Sequence, residues 1–117
     1  MTIHAHYYLE LSIRPRLFKR ALAIMEGIHE RNFNSLEEAF YQSKLVQENR
    51  EIYISPVTKY LTVTGYYDDI LEDQEKLIKT LAPVLNDTWI DCLSRSGQRW
   101  TWKIWDHQFT REQGEDY

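Results

Sequence analysis

From Ile3 to Ile13 apolar and polar residues alternate almost without fault. Ile3, Ala5, Tyr7, Leu9, Leu11 and Ile13 share one face; His4, His6, Tyr8, Glu10 and Ser12 share the other, the pattern of a strand with one buried and one wetted side. At Pro15 the period changes. Proline fits the first turn of a helix, where its missing N–H has no partner to lose. Leu17, Phe18, Ala21, Leu22, Met25 and Ile28 follow at helical spacing, to about Glu30. The pattern breaks over Arg31-Asn32-Phe33-Asn34 and restarts at Ser35-Leu36-Glu37-Glu38. That is a capping box, in which the serine oxygen and the glutamate satisfy backbone donors reciprocally. It predicts a second helix to about Glu48 burying Leu36, Ala39 and Phe40, with Val46 as a further candidate and one bent helix as the alternative.

Strands are expected next at Glu51–Ser55 and Tyr60–Tyr67, with Pro56-Val57-Thr58 between them as turn or edge. In the second, Leu61 and Val63 alternate with Tyr60, Thr62, Thr64 and Tyr66. Asp68-Asp69 then opens a helix, its acidic first turn complementing the positive end of the dipole. Ile70, Leu77, Ile78 and Leu81 supply the core stripe and Pro83 marks the end.

A hairpin over Thr88–Asp106 follows, with alternating runs Thr88–Leu93 and Arg99–Trp105 around Ser94-Arg95-Ser96-Gly97-Gln98. With Ser96-Gly97 as a two-residue turn, Leu93 faces Trp100, Asp91 faces Trp102 and Trp89 faces Ile104. This register buries Trp89, Trp100 and Trp102 and turns Ile90, Cys92, Thr101, Lys103 and Trp105 outward. Asp91 is its misfit, an acid on the face assigned to the core. Either Asp91 sits at an edge or pairs with Arg99, Lys103 or an indole N–H, or the register slips by one residue, which exchanges a strand's faces. Residues 108–117 are polar and aperiodic and are expected to form a frayed tail on a single domain spanning 1–107.

The resulting order, β-α-(α)-β-β-α-β-β, predicts an α+β fold: a two-layer sandwich with a mainly antiparallel sheet and helices packed on one face. The arrangement resembles a split β-α-β (ferredoxin-like) sandwich with an extra terminal strand. That resemblance is one of topology, rests on no residue motif and carries no function.

Composition narrows the partners more than the fold. A net charge of −4 over 117 residues disfavours bulk binding to nucleic acid or an anionic membrane, which reward cationic surfaces. The charge is uneven, with Arg14, Arg16, Lys19 and Arg20 in one basic stretch and Asp68, Asp69, Glu72, Asp73 and Glu75 in one acidic stretch. The single cysteine, Cys92, excludes an intramolecular disulfide and suits a reducing compartment. No apolar run is long enough to span a membrane, and the first residues lack the features of a secretory signal, so a cytoplasmic location is expected.

The outward sheet positions carry the candidate chemistry. Tyr8, Tyr60, Tyr66, Lys103 and Trp105 fall there, with His4, His6, Glu10, Thr62, Thr101 and Tyr53 around them. Rings with a polar tip are enriched where a partner covers a surface; the plainer reading is the β-propensity of tyrosine and threonine, or cover by the second helix. His4 and His6 share a face, but Glu10 stands about 13 Å along the strand from His6, too far to complete a metal site. No metal and no cofactor is expected. The Asp68–Glu75 segment lacks the glycine and alternating spacing of a calcium loop, and it suits either helix capping or steering of a basic partner. Cys92 reads as an inert thiol, and Ser94 and Ser96 form neither a nucleophile elbow nor a phosphate loop.

These features lead to a non-catalytic, acidic protein-binding module that docks on a basic macromolecular partner, such as a nuclease or nucleic-acid-binding protein. The acidic segment would steer, and the exposed tyrosines and Trp105 would anchor. In compactness, acidity and aromatic load the chain is similar to toxin-neutralising immunity proteins and phage-type anti-defence inhibitors. Three other readings compete. One is a small-molecule enzyme using His4, His6, Tyr8 or Asp91. Another is single-stranded RNA binding through Tyr60 and Tyr66, for which Thr64-Gly65-Tyr66-Tyr67 is a faint echo of the usual signature. The third is a homodimer in which a second copy buries the face.

Overall fold

The computed structural model describes residues 4–43 and 51–114, and at 4, 5 and 66–73 the backbone alone. Strands β1 (His4–Ile13), β2 (Glu51–Ile54), β3 (Leu61–Ile70), β4 (Thr88–Ser94), β5 (Arg99–Trp105) and β6 (Gln108–Gln113) form one sheet in the order β2-β3-β1-β4-β5-β6. Every neighbouring pair is antiparallel. β1 is the central strand, laddered to β3 from His4↔Ile70 to Ile13↔Leu61. Its alternation is obeyed: Tyr7, Leu9, Leu11 and Ile13 are buried, whereas His6, Tyr8 and Glu10 are exposed.

Helices α1 (Phe18–His29), α2 (Leu36–Gln42) and α3 (Leu71–Leu81) all cover that buried face. Ala21 and Met25 from α1, Leu36, Ala39 and Phe40 from α2, and Leu77, Ile78 and Leu81 from α3 close one core over the sheet. Non-directional burial of these side chains is the main force holding the two layers together. The molecule is thus an α+β sandwich with one helical layer, and among the described residues no helix covers the other sheet face.

Local signals set the helix limits. Pro15 begins a single 3₁₀ turn, Pro15–Leu17, ahead of α1. α1 ends where Glu30 turns left-handed, at φ 53°, its N–H donating to the Glu26 carbonyl. The Glu26 carboxylate accepts from the Phe33 N–H at 2.8 Å and so holds the return of the chain. The Ser35 hydroxyl then accepts from the Glu38 N–H at 3.1 Å, and the Glu38 carboxylate accepts from the Asn34 N–H at 2.6 Å. There are therefore two helices here rather than one bent one. Val46, a candidate for the core of α2, lies outside the described residues. Ser35→Ala should cost about 1 kcal/mol, the usual loss for an N-cap hydroxyl, read as a fall in Tm of about 4 °C; an unchanged Tm would show the cap to be idle.

Three expectations are corrected. The β4–β5 loop is Arg95-Ser96-Gly97 rather than Ser96-Gly97 alone: Ser94 N–H donates to the Gln98 carbonyl, Gly97 N–H donates to the Ser94 carbonyl, and Gly97 takes φ 90°. This is a turn closed by a glycine bulge, and its third residue moves the register by one. Cys92 faces Trp100, Ile90 faces Trp102 and Thr88 faces Ile104. In β5 the expected faces hold, with Trp100, Trp102 and Ile104 buried. In β4 they are exchanged: Ile90 and Cys92 are buried, whereas Trp89 and Asp91 are exposed.

Second, Asp68 and Asp69 do not cap a helix but continue β3, opposite His6 and Ala5, because the ladder with β1 runs to the start of that strand. α3 follows directly at Leu71. Third, residues 108–113, expected in a frayed tail, form strand β6, paired with β5 from Trp105↔Gln108 to Trp100↔Gln113. Its sequence shows little apolar alternation because this is an edge strand, with only Phe109 packed against the core. Arg111 compensates: its guanidinium lies 4.9 Å from the Trp100 ring centroid and 3.1 Å from the Glu75 carboxylate on α3.

Candidate binding surface on the open sheet face

The register determines what the bare face presents. Tyr53 lies opposite Thr62, Glu51 opposite Thr64, and Trp89 opposite Lys103, with Asp91 opposite Thr101. No described helix lies over these positions. Tyr8 and Tyr53 are each 45% exposed, Trp89 is 52% and Trp105 is 56%. Glu10, Glu51 and Asp91 are exposed carboxylates on the same face. With Glu112 of β6, opposite Thr101, four rings and four acids among the described residues share one open surface.

Its best-defined part is at β4 and β5. The rings of Trp89 and Trp105 lie 5.8 Å apart at an interplanar angle of 51°. The Lys103 ammonium stands 5.7 Å from the Trp89 centroid and 5.9 Å from that of Trp105, where the negative faces of the rings attract it. Glu112 on β6 lies 3.8 Å from the same ammonium. Beside them, the Asp91 carboxylate accepts a hydrogen bond from the Thr101 hydroxyl at 2.8 Å. The acid that fitted no core is a surface acid with a partner. Behind it, burial first and the Asp91 charge second push the Cys92 thiol up to about 12, which leaves it protonated and unreactive near neutrality.

The expected site residues are divided by the fold. Tyr8, Lys103 and Trp105 lie on the open face as expected. Tyr66 sits opposite Tyr8 in the ladder, with its side chain outside the described residues. The side chains of His4, Asp68, Asp69, Glu72 and Asp73 also lie outside them. Glu75 is described, and it is bound to Arg111 on the helical side, away from the open face. Through that ion pair Glu75 clamps α3 to β6. His6 is exposed on the face. Among the described residues no group of three His, Cys, Asp or Glu side chains is placed to hold a metal ion. Trp89, Asp91 and the half-buried Leu93 join the face unforeseen, and the signal that could have placed them was Asp91 itself.

Tyr60 stands at the margin of the sheet. It precedes β3 and lines an open depression of about 590 Å³ at the end of the sheet, together with Arg14, Asn86, Asp87, Trp105 and the Asp106-His107 turn. Asp106 and His107 both adopt left-handed backbone, at φ 51° and 62°. The Asp106 N–H donates to the Asp87 carboxylate at 2.9 Å, and His107 Nδ1 lies 3.1 Å from the Leu85 carbonyl. A carbonyl only accepts, so Nδ1 carries the proton and Nε2 of the neutral ring is an acceptor.

No helix among the described residues is long and apolar enough to cross a membrane. Compared with family models, with characterised proteins and with solved structures, the chain finds no match.

Proposed function

We propose that this chain is a non-catalytic binding module that docks through its open sheet face on a basic macromolecular partner, in the manner of an inhibitor or immunity-type protein. One observation carries the reading: Tyr8, Tyr53, Trp89 and Trp105 stand half-exposed on a face no described helix covers, among the carboxylates of Glu10, Glu51 and Asp91. Large rings supply contact area at small entropic cost, and acids around them steer a cationic surface into register. The same carboxylates count against a nucleic-acid strand, whose phosphates they would repel. On this reading the steering charge comes from these acids together with Glu112, since Glu75 is engaged by Arg111 on the helical side. A nuclease or nucleic-acid-binding protein has the required basic surface. The β2-β3-β1-β4 part of the sheet, with its helical crossovers, we read as a split β-α-β core to which β5 and β6 are added.

The test compares the wild-type chain with a Trp89→Ala/Trp105→Ala double variant as bait in affinity capture from the native host. The retained partner is then purified and titrated against both. The double variant is expected to lose about 100-fold in affinity, as paired aromatic anchors do, while its stability stays within about 1 kcal/mol of wild type because both rings are exposed. Equal retention by the two baits, or a retained partner that is acidic, would remove the open face from the interface. Sedimentation of the chain alone separates the homodimer: association lost in the double variant would assign the face to a second copy.

A further inference from the structure

We propose that the depression at the end of the sheet is a binding site for a neutral polyhydroxylated ligand, a sugar ring either free or at the end of a glycan. It is independent of macromolecular docking on the open face, although Trp105 borders both.

The turn between β5 and β6 is the first reason. Two-residue hairpin turns that need positive φ at both positions strongly favour Asn-Gly or Asp-Gly; Asp106 at φ 51° fits that pattern, but the second position holds His107 at φ 62° where glycine is usual. A side chain kept where glycine is preferred carries backbone strain, and such strain clusters at ligand clamps. Here both residues line the depression, and both are locked, Asp106 to the Asp87 carboxylate and His107 to the Leu85 carbonyl. The turn is thereby held in place ahead of any ligand.

The second reason is the chemistry of the wall. Small-molecule sites are usually mostly apolar, but this wall is mostly polar, with the rings of Trp105 and Tyr60 as its large apolar surfaces. Arg14 offers donors, Asp87 and Asp106 offer acceptors, and His107 Nε2 accepts because Nδ1 is committed to Leu85. The Asn86 side chain donates to the Ser12 hydroxyl at 2.8 Å, which fixes it in the wall. An anion would meet two carboxylates, and a polycation would meet Arg14. A sugar ring satisfies both sets, because each hydroxyl donates and accepts. The C–H face of the ring also carries positive partial charge to set on the negative face of the indole. A volume of about 590 Å³ suits one or two sugar rings.

The experiment is an NMR titration of the full-length chain, following the Trp105 indole N–H and the Asp106 and His107 amides. The probes are glucose, N-acetylglucosamine, maltotriose, chitotriose and inorganic phosphate. At least one sugar is expected to shift these signals saturably, with a Kd of about 1 mM, while the buried Trp100 and Trp102 indoles stay still. A trisaccharide binding tighter than its monosaccharide points to a glycan end; equal binding points to a free sugar. Changing Asp106-His107 to Asn-Gly should weaken binding at least about tenfold without lowering Tm, since that pair suits the turn. Arg14→Gln, outside the hairpin, should weaken it about threefold. Silence at Trp105 with every sugar, tighter binding of phosphate, or an Asn-Gly chain that binds as wild type but melts lower would each overturn the proposal.

Discussion

Trp102→Ala is expected to cost about 3–5 kcal/mol, the range for removing a buried tryptophan from a packed core. Trp102 is fully buried on β5 and meets the Tyr7 ring edge-on, with centroids 5.1 Å apart. It therefore ties the central strand to the C-terminal hairpin. A domain of this size holds about 5–15 kcal/mol in all, so the loss takes a large part of the total. In urea the midpoint should fall sharply, whereas Trp105→Ala, on the same strand one face over, should leave it almost unmoved. Trp102→Phe should lie well short of the alanine value, because it keeps most of the ring and removes a buried indole N–H that has no hydrogen-bond partner. Equal midpoints for Trp102→Ala and Trp105→Ala would contradict the assignment of faces in β5.

Alkaline unfolding gives the second large effect. Burial, reinforced by the nearby Asp91 carboxylate, raises the Cys92 thiol from 9.0 to about 12. Below pH 9 both folded and unfolded chains keep this proton, and the contribution to stability is whole. Between 9 and 12 the unfolded chain gives it up and the folded chain does not, so unfolding gains up to about 4 kcal/mol by pH 12. Cys92→Ala removes the titrating group. Its stability at pH 7 should be lower by about 1–2 kcal/mol for lost packing, but its curve should fall less steeply than that of wild type above pH 9. Parallel curves would show that the thiol ionises as easily in the folded chain as in the unfolded one. Tyrosines and lysines also titrate in this range, and the comparison cancels them.

Much of the fold could be read from period alone. β1 was plain because ten residues alternate with one buried side, and α1 because its apolar stripe follows a proline. What could not be read was set by partners distant in sequence. β6 has almost no apolar rhythm, since an edge strand is held by its ladder to β5 and by the Arg111 contacts to Trp100 and Glu75. Asp68 and Asp69 look like helix caps locally, yet they complete a ladder whose other half lies about sixty residues earlier, at Ala5 and His6. The open face is partly legible: the unbroken alternation of β1 and β5 places Tyr8, Lys103 and Trp105 on it. Trp89 and Asp91 cannot be placed that way, because one residue in a glycine turn decides which side of β4 is which.

That turn gives the hairpin something like a reading frame. Between Ser94 and Gln98 lie Arg95, Ser96 and Gly97, and the identity of the first two matters less than that there are three residues in all. Delete one and β4 keeps every letter while its meaning inverts: Trp89 and Asp91 turn toward the core and Ile90 and Cys92 toward the solvent. In descendants of this chain the loop should therefore drift freely in composition and hardly at all in length. A relative that broke that rule would share most of the sequence and little of the surface.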